Sequence, residues 1–158
     1  MKKILKLTMV LLGALFILLG CSSEAKSEFV FEHNMGKQKI TYVYDKAKDS
    51  VTSLTFDISY DIANNKDKET QFRNMRESIV AEINGIEGVT VTQSDSEKEL
   101  KVTVAVDLKK FKYDDEEGRQ KAPSLYSSIH TALVKKNDIY SFEESKKSIL
   151  DEGFKEVK

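Results

Sequence analysis

The sequence contains few of the residues that cross-link or interrupt a fold. Cysteine and proline each occur once in 158 residues, as Cys21 and Pro123. A single cysteine excludes an intramolecular disulfide and a cysteine-based metal site. A single proline gives no sign of a hinge between domains. The length fits one domain once a short targeting segment is set aside.

The sequence also lacks any cluster of basic residues that stands free of acidic ones. The first twenty residues hold three of the 25 basic side chains and none of the 26 acidic ones, so the remainder carries a net charge of −4. Nucleic acid is held mainly by positive charge, so this balance argues against a nucleic-acid partner. An acidic body also gains nothing from adsorbing to an anionic lipid surface.

The amino-terminal segment has the three parts of a signal sequence. Lys2, Lys3 and Lys6 give a positive start, and an apolar run follows from Leu7 to Leu19. The run is shorter than the roughly twenty residues that a membrane-spanning helix needs. It therefore predicts a signal segment over residues 1–20 rather than a permanent span.

The end of this segment explains the lone thiol best. Leu18, Leu19 and Gly20 stand directly before Cys21, and the four residues together resemble the lipobox of bacterial lipoproteins. The resemblance implies a diacylglyceryl group on the Cys21 sulfur and cleavage after Gly20. It also implies retention at the cell membrane on the extracytoplasmic face, because two or more acyl chains give durable anchoring. A free cysteine or an intermolecular bridge is the alternative reading.

Residues 21–28 follow as the lipidated cysteine and a short polar tether. The stretch from residue 22 to residue 28 is small, polar and unpatterned. Fully extended, it reaches at most about 25 Å at about 3.3–3.6 Å per residue. A single domain over residues 29–158 is therefore expected to work close to the membrane surface.

Alternating apolar residues predict a sheet in the first half of the domain. The alternation covers residues 29–33, 40–44 and 54–62, with short polar links between the three segments. One apolar and one polar face indicate antiparallel strands, and the short links indicate a meander. Alternation returns over residues 89–92 and 100–108 and predicts a two-strand hairpin.

Helical spacing separates and follows these strands. Phe72, Met75, Ile79 and Ile83 recur every three or four residues and predict a helix that ends at Asn84-Gly85. Residues 112–121 are highly charged and are expected to form a loop.

Two more helices are predicted beyond that loop. The first begins at Pro123 and runs to about Val134. The second is predicted from a capping box at Ser141–Glu144, runs to about Glu152, and has Phe154 packing back after it. The predicted fold is α+β, with an antiparallel sheet (three-strand meander, helix, two-strand hairpin) and helices packed on one face.

In its predicted elements and motifs, the domain resembles the YehR-like family of small bacterial lipoproteins. The resemblance rests on the element order and on three motifs: Gly88-Val89-Thr90 with the long strand that ends at Asp107, Ser141–Glu144, and Glu152–Lys155. It implies the fold and the membrane location over residues 29–157. It carries over no catalytic residue.

No metal or cofactor site is predicted. His33 and His130 are the only histidines, and no ligand spacing joins them. Residues 114–118 are acidic but lack the alternating oxygen ligands of a calcium loop, so a solvated loop is the expected reading.

No catalytic residues are predicted either. Ser124, Ser127 and Ser128 lie near His130 in sequence, without the strand-to-helix elbow of a nucleophilic serine. Tyr42, Tyr44 and Tyr60 are the candidates for a ligand-binding groove, because strand aromatics can line one. Their position on the apolar faces favours core packing.

The sequence thus favours a non-enzymatic binding or accessory module at the cell envelope, whose partners are the membrane, through Cys21, and an envelope protein or small ligand. The alternatives are a small-ligand carrier for a transporter and an envelope-acting enzyme. A cavity lined by the strand tyrosines would favour the carrier. Clustered carboxylates or a network around His130 would favour the enzyme. A smooth surface with one apolar patch would favour the module.

Overall fold

A computed structural model describes residues 23–158, so the predicted signal segment and the lipobox residues Leu18, Leu19, Gly20 and Cys21 lie outside the described residues. The strands are β1 (Glu24–His33), β2 (Gly36–Asp45), β3 (Ser50–Asp61), β4 (Val89–Asp95), β5 (Glu99–Asp107), β6 (Val134–Lys136), β7 (Ile139–Ser141) and β8 (Lys155–Glu156). The helices are α1 (Glu69–Ile83), α2 (Glu116–Lys121), α3 (Pro123–Ala132) and α4 (Phe142–Asp151), and a 3₁₀ turn at Lys66–Lys68 precedes α1.

The strands form one eight-stranded antiparallel sheet. Its main order is β4-β5-β3-β2-β1-β8, and the β6–β7 hairpin joins β3 through a pairing of Ser50 with Ser141. The predicted meander and the predicted β4–β5 hairpin are both present, as neighbours of one sheet. The α+β prediction is confirmed.

The helices cover one face of this sheet, as predicted. A small apolar cluster joins Phe72 of α1 to Tyr60, Ile62 and Leu100. The other alternating apolar side chains of the strands meet the apolar sides of the helices in one large core. The fully buried members of this core with the largest side chains include Tyr42, Tyr126, Phe29, Leu54 and Ile129. The opposite face of the sheet carries the polar residues of the alternation.

Helix α1 is held to the end of the sheet by charge. Its Phe72 and Ile83 are buried, and Gly85, with φ of +80°, ends the helix as predicted. Arg73 Nη1 lies 2.8 Å from Asp95 Oδ2 on β4, and the nearly buried Arg76 pairs with the same carboxylate. These bonds hold the pKa of Asp95 below its ordinary value.

Helix α4 begins at the predicted cap. The Ser141 hydroxyl accepts a 3.2 Å hydrogen bond from the Glu144 amide. The second acceptor at the start of this helix is not the Glu144 side chain, which a capping box would use. Instead the Asp49 carboxylate, from the β2–β3 turn, accepts a 2.9 Å bond from the Glu143 amide. The cap therefore ties α4 to the sheet as well as starting the helix.

The tether is shorter than predicted. Residues 24–28 form the first half of β1 and pair with β2 from Glu24–Asp45 to Glu28–Thr41. Strand β2 is long enough to offer backbone partners to this polar stretch, and backbone pairing does not require apolar side chains. Residues 24–28 therefore belong to the folded domain and not to a tether.

The loop prediction for residues 112–121 is wrong in its second half. Helix α2 occupies Glu116–Lys121, with acidic residues in its first turn and basic residues in its last. This charge order complements the helix dipole, which the charge count alone did not reveal. Gly118 is buried in this helix, and a Cβ there would lie 2.3 Å from the Tyr126 hydroxyl oxygen.

The helix predicted to reach about Val134 ends at Ala132. The β6–β7 hairpin follows and turns at Asn137, with φ of +56°. Strand β8 was also not predicted. These strands have two or three residues each, too few to show an alternation.

The polar face of the sheet, opposite the helices, has Asp57 at its centre. Lys39 on β2 and Thr103 on β5 lie directly opposite Asp57 on β3. Thr103 Oγ1 donates a 2.6 Å hydrogen bond to Asp57, and the Lys101 and Lys39 ammonium groups lie 3.0 and 3.4 Å from its oxygens. Burial opposes ionisation of Asp57. The bonds from Thr103 and Lys101 and the charges of both lysines outweigh it and hold the pKa of that carboxyl below 3.8.

We expect Asp57→Asn to lower the free energy of unfolding by about 1–2 kcal/mol at neutral pH. Because the pKa of the folded state is depressed, the stabilisation by ionised Asp57 is present above the unfolded pKa and is lost as the pH falls through the folded pKa. The difference between the variant and the original chain should therefore shrink between pH 6 and about pH 3, as measured by urea unfolding.

Asp67→Asn is the control, because Asp67 forms no ion pair or side-chain hydrogen bond within residues 23–158. A loss at Asp57→Asn that stayed constant across this pH range would contradict the electrostatic explanation.

Candidate functional site

A groove opens between the apolar face of the sheet and the helices. It encloses about 470 Å³ and is bordered by α1, α3 and the end of α4. Its floor consists of Ile40, Phe56, Ile58 and Val104, which come from three adjacent strands. Phe56 and Ile58 are only partly buried, unlike Leu54 on the same strand. The groove thus leaves part of the apolar sheet uncovered.

Apolar side chains also form the walls. Ile79 and Ile83 of α1 stand on one side, and Leu125 of α3 stands on the other. Phe31 and Phe154 close one end, with ring centroids 5.6 Å apart. The predicted return of the chain after α4 therefore contributes to the groove.

The rim of the groove on α3 is a row of hydroxyl groups. It contains Ser124, Ser127, Ser128 and Thr131, which share one side of the helix. Ser128 Oγ donates a 2.9 Å bond to the Ser124 carbonyl, and Thr131 Oγ1 donates a 3.0 Å bond to the Ser127 carbonyl. The hydroxyl hydrogens of Ser128 and Thr131 are thereby used within the helix. Their oxygens can still accept a bond from a ligand.

Glu82 sets the separation of the two walls. Its Oε1 atom accepts a 2.7 Å bond from the Ser124 amide and a 3.4 Å bond from the Leu125 amide. A carboxylate at a helix amino terminus satisfies otherwise unpaired amides and complements the helix dipole. Helix α1 thereby caps α3 and fixes its start beside the groove.

The groove has the chemistry of a binding surface. Within residues 23–158, no hydrogen bond joins the rim serines to His130. The His130 ring instead stacks on Tyr113 at 4.2 Å between centroids, and its Nε2 atom lies 3.4 Å from the Tyr113 carbonyl oxygen. An apolar floor with hydroxyl groups along one rim can bury an apolar ligand and orient its polar end.

The other candidate ligand groups are dispersed. His33 Nδ1 accepts a 3.3 Å bond from the Met35 amide at the end of β1. Asp114 pairs with Lys135 at 3.2 Å, and Glu116 and Glu117 occupy the first turn of α2. Among the described residues, no three His, Cys, Asp or Glu side chains converge in a way that could hold a metal ion.

The three strand tyrosines pack in the core, away from the groove. Tyr42 is 0% exposed, and burial raises the pKa of its hydroxyl. Tyr44 stacks on Phe142 with ring centroids 3.6 Å apart, and Tyr60 stacks on Phe72 at 5.1 Å. The floor residues of the groove could be recognised in the sequence only as apolar strand positions. The hydroxyl row beside the apolar row of α3 was the available signal.

No helix within residues 23–158 combines the length and the apolar character needed to cross a bilayer.

Two solved structures share this architecture. The NMR structure of the E. coli YehR protein has a TM-score of 0.65 and 20% sequence identity, over 88% of this chain and 94% of that one. The NMR structure of a protein from Streptococcus pneumoniae TIGR4 has a TM-score of 0.56 and 13% identity, over 88% of each chain. No protein-family model and no curated protein matches the sequence. At these identities the likeness concerns the fold alone: the chain has a YehR-like fold.

Proposed function

We propose that this protein is an extracytoplasmic binding module, tethered to the cell membrane by lipid on Cys21, that holds an apolar ligand in the groove. The proposal is non-enzymatic: the ligand is bound and is not transformed. The observation that carries it is the uncovered apolar floor around Phe56 and Ile58. The lipobox-like residues before Cys21 support the tether.

An uncovered apolar floor favours ligand binding on energetic grounds. Burial of apolar surface contributes roughly 25 cal/mol per Å², so a ligand that covers the floor gains what the helices leave unused. Concave apolar pockets with a few polar groups are the usual form of small-molecule sites. The volume of about 470 Å³ falls within the usual range of such sites.

The charges around the groove limit the class of ligand. Among residues 23–158, Lys39 is the one basic residue that lines it. The Lys39 ammonium group lies on the opposite face of the sheet, 3.4 Å from Asp57 and 3.7 Å from Glu28. An anionic head group would therefore meet no positive charge, and Glu152 on the rim would repel it. We expect an uncharged apolar ligand.

The tether and the groove lie at different ends of strand β1. Phe31 lies seven residues after Glu24 on β1, a distance of about 23 Å at about 3.3 Å per residue. Lipid at Cys21 would thus leave the groove accessible. The same groove would serve a small-ligand carrier for a transporter, which differs from a retained-ligand module by releasing its ligand to that partner.

We expect Cys21→Ser to move the protein from the membrane fraction to the soluble extracytoplasmic fraction, because the acyl chains can no longer be attached. Cell fractionation with immunoblotting measures the distribution, and mass spectrometry of the amino-terminal peptide measures the lipid. Ser22→Ala is the matched control and should stay in the membrane fraction. Retention of the Cys21→Ser protein in the membrane would refute the lipid tether and leave the groove proposal standing.

We expect Ser128→Trp to weaken binding of the uncharged apolar dye Nile red about tenfold, equivalent to about 1.4 kcal/mol, because the indole occupies the groove. Fluorescence titration of the soluble chain from Ser22 onward measures the affinity. Ser78→Trp on α1 is the matched control. Ser78 is also an exposed helical serine that bonds the carbonyl four residues earlier, and it lies outside the groove.

Equal affinities of the Ser128→Trp and Ser78→Trp variants would show that the dye binds elsewhere. Absence of binding by the unsubstituted chain would count against an apolar ligand altogether.

A further inference from the structure

Strand β4 is an edge strand of the sheet and pairs with β5 on its inner side. Two backbone hydrogen bonds, one just beyond each end of β4, show which of its residues direct their backbone groups toward β5. The Gly88 carbonyl accepts a 2.8 Å bond from the Asp107 amide, and the Ser96 amide donates a 2.9 Å bond to the Glu99 carbonyl. Backbone groups of alternate residues point in opposite directions along an antiparallel strand. The even-numbered residues of β4 therefore bond to β5.

The odd-numbered residues of β4 present their backbone groups to the outside. Val91 and Gln93 each direct an N–H and a C=O away from the sheet. Within residues 23–158, no turn, loop or side-chain hydrogen bond reaches their amides. Gln93 is also exposed. The outer edge of β4 thus presents unpaired donors and acceptors at Val91 and Gln93, whereas the Val89 amide already donates a 3.2 Å bond to the Ile86 carbonyl.

This edge lacks the usual features that prevent pairing. Natural edge strands are commonly protected by lysine, proline, a bulge or extreme shortness. Residues 89–94 read Val-Thr-Val-Thr-Gln-Ser, without a charge or a proline. At the other side of the sheet, β8 covers part of β1, and Lys26 and Glu28 place charges along that strand. Strand β4 is the edge that is suited to pairing.

We propose that β4 pairs with β4 of a second copy of this chain, in antiparallel orientation, and so joins the two sheets. The register that pairs the whole strand places Val89 opposite Asp95 and Thr92 opposite itself. Val91 then lies opposite Gln93, and each such pair exchanges both N–H···O bonds. The unpaired backbone groups of both copies are satisfied at once.

The side chains are compatible with this register. Thr90 of one copy lies opposite Ser94 of the other, and pairs of hydroxyl side chains across strands are favourable. Asp95 faces Val89, and its charge is already matched by Arg73 and Arg76 within its own copy. A register centred on Val91 would instead place Asp95 of one copy opposite Glu87 of the other. Repulsion between these two negative charges disfavours that register. The side chains therefore favour the register centred on Thr92 over the one centred on Val91.

The joined sheet has a consequence for the grooves. The twofold axis of an antiparallel edge pair is perpendicular to the sheet, so both helix-covered faces lie on the same side. The two grooves would open in the same direction. Two copies tethered as proposed would need this axis along the membrane normal, and the sheet would then lie parallel to the membrane. The pairing itself rests on β4 and not on the groove.

Disulfide trapping with Thr92→Cys tests the pairing directly. In a non-hydrogen-bonded pair the Cα atoms are about 4.5 Å apart, within the range that a disulfide spans. The full-length variant, produced in bacterial cells, is oxidised with copper phenanthroline, which accepts the two electrons as the two thiols lose their protons. We expect a disulfide-linked dimer on non-reducing gels, at least about tenfold more abundant than for Thr90→Cys.

Three controls make the result specific. The unsubstituted chain measures any bridge through Cys21. The double variant Thr90→Cys with Ser94→Cys should form the dimer, because these positions face each other. Adding Gln93→Pro to Thr92→Cys removes an outward amide while leaving the bonds to β5, and we expect it to reduce the dimer at least about tenfold.

Equal trapping at Thr90→Cys and Thr92→Cys would overturn the register and, with it, the proposal. Failure of both Thr92→Cys and the double variant to give a dimer would also overturn it. Trapping of Thr92→Cys to a protein of another mass would show that a foreign strand occupies the edge, and a second copy would be ruled out as its occupant.

Discussion

The hydroxyl of Tyr42 donates a 2.7 Å hydrogen bond to the Ala132 carbonyl at the end of α3, and the placement of the helices depends on this contact. Tyr42 is fully buried at the centre of the sheet, and Phe29 and Phe142 pack edge-on against it, each with centroids 5.7 Å away. A buried carbonyl without a partner would cost about 1–3 kcal/mol. The bond therefore fixes where α3 ends above the sheet.

The groove follows from how α3 is held at both ends. Tyr42 fixes its carboxyl end, and the Glu82 carboxylate fixes its amino end. The helix spans the sheet between these points and leaves Phe56 and Ile58 partly uncovered. The groove is thus a product of two polar contacts in a largely apolar core. It is not a packing defect at the surface.

The sequence predicted the elements whose pattern is local. Alternation over residues 54–62 and 100–108 identified the central strands, and Ser141 identified the start of α4. Residues 24–28 were missed because their pairing is decided by the length of β2. The groove could not be predicted, because Glu82 and Ser124 are 42 residues apart and no local pattern links them. Alternation also cannot distinguish a buried tyrosine such as Tyr42 from a floor residue such as Phe56.

The Tyr42→Phe variant tests the role of the Tyr42 hydroxyl most directly. The substitution keeps the ring and removes only the donor, so urea unfolding should show a loss of about 2 kcal/mol in the free energy of unfolding. Tyr44→Phe is the comparison, because the Tyr44 hydroxyl lies 3.5 Å from Ser27 Oγ in a partly buried site, and a smaller loss is expected. Equal losses in the two variants, or no loss in Tyr42→Phe, would contradict the account.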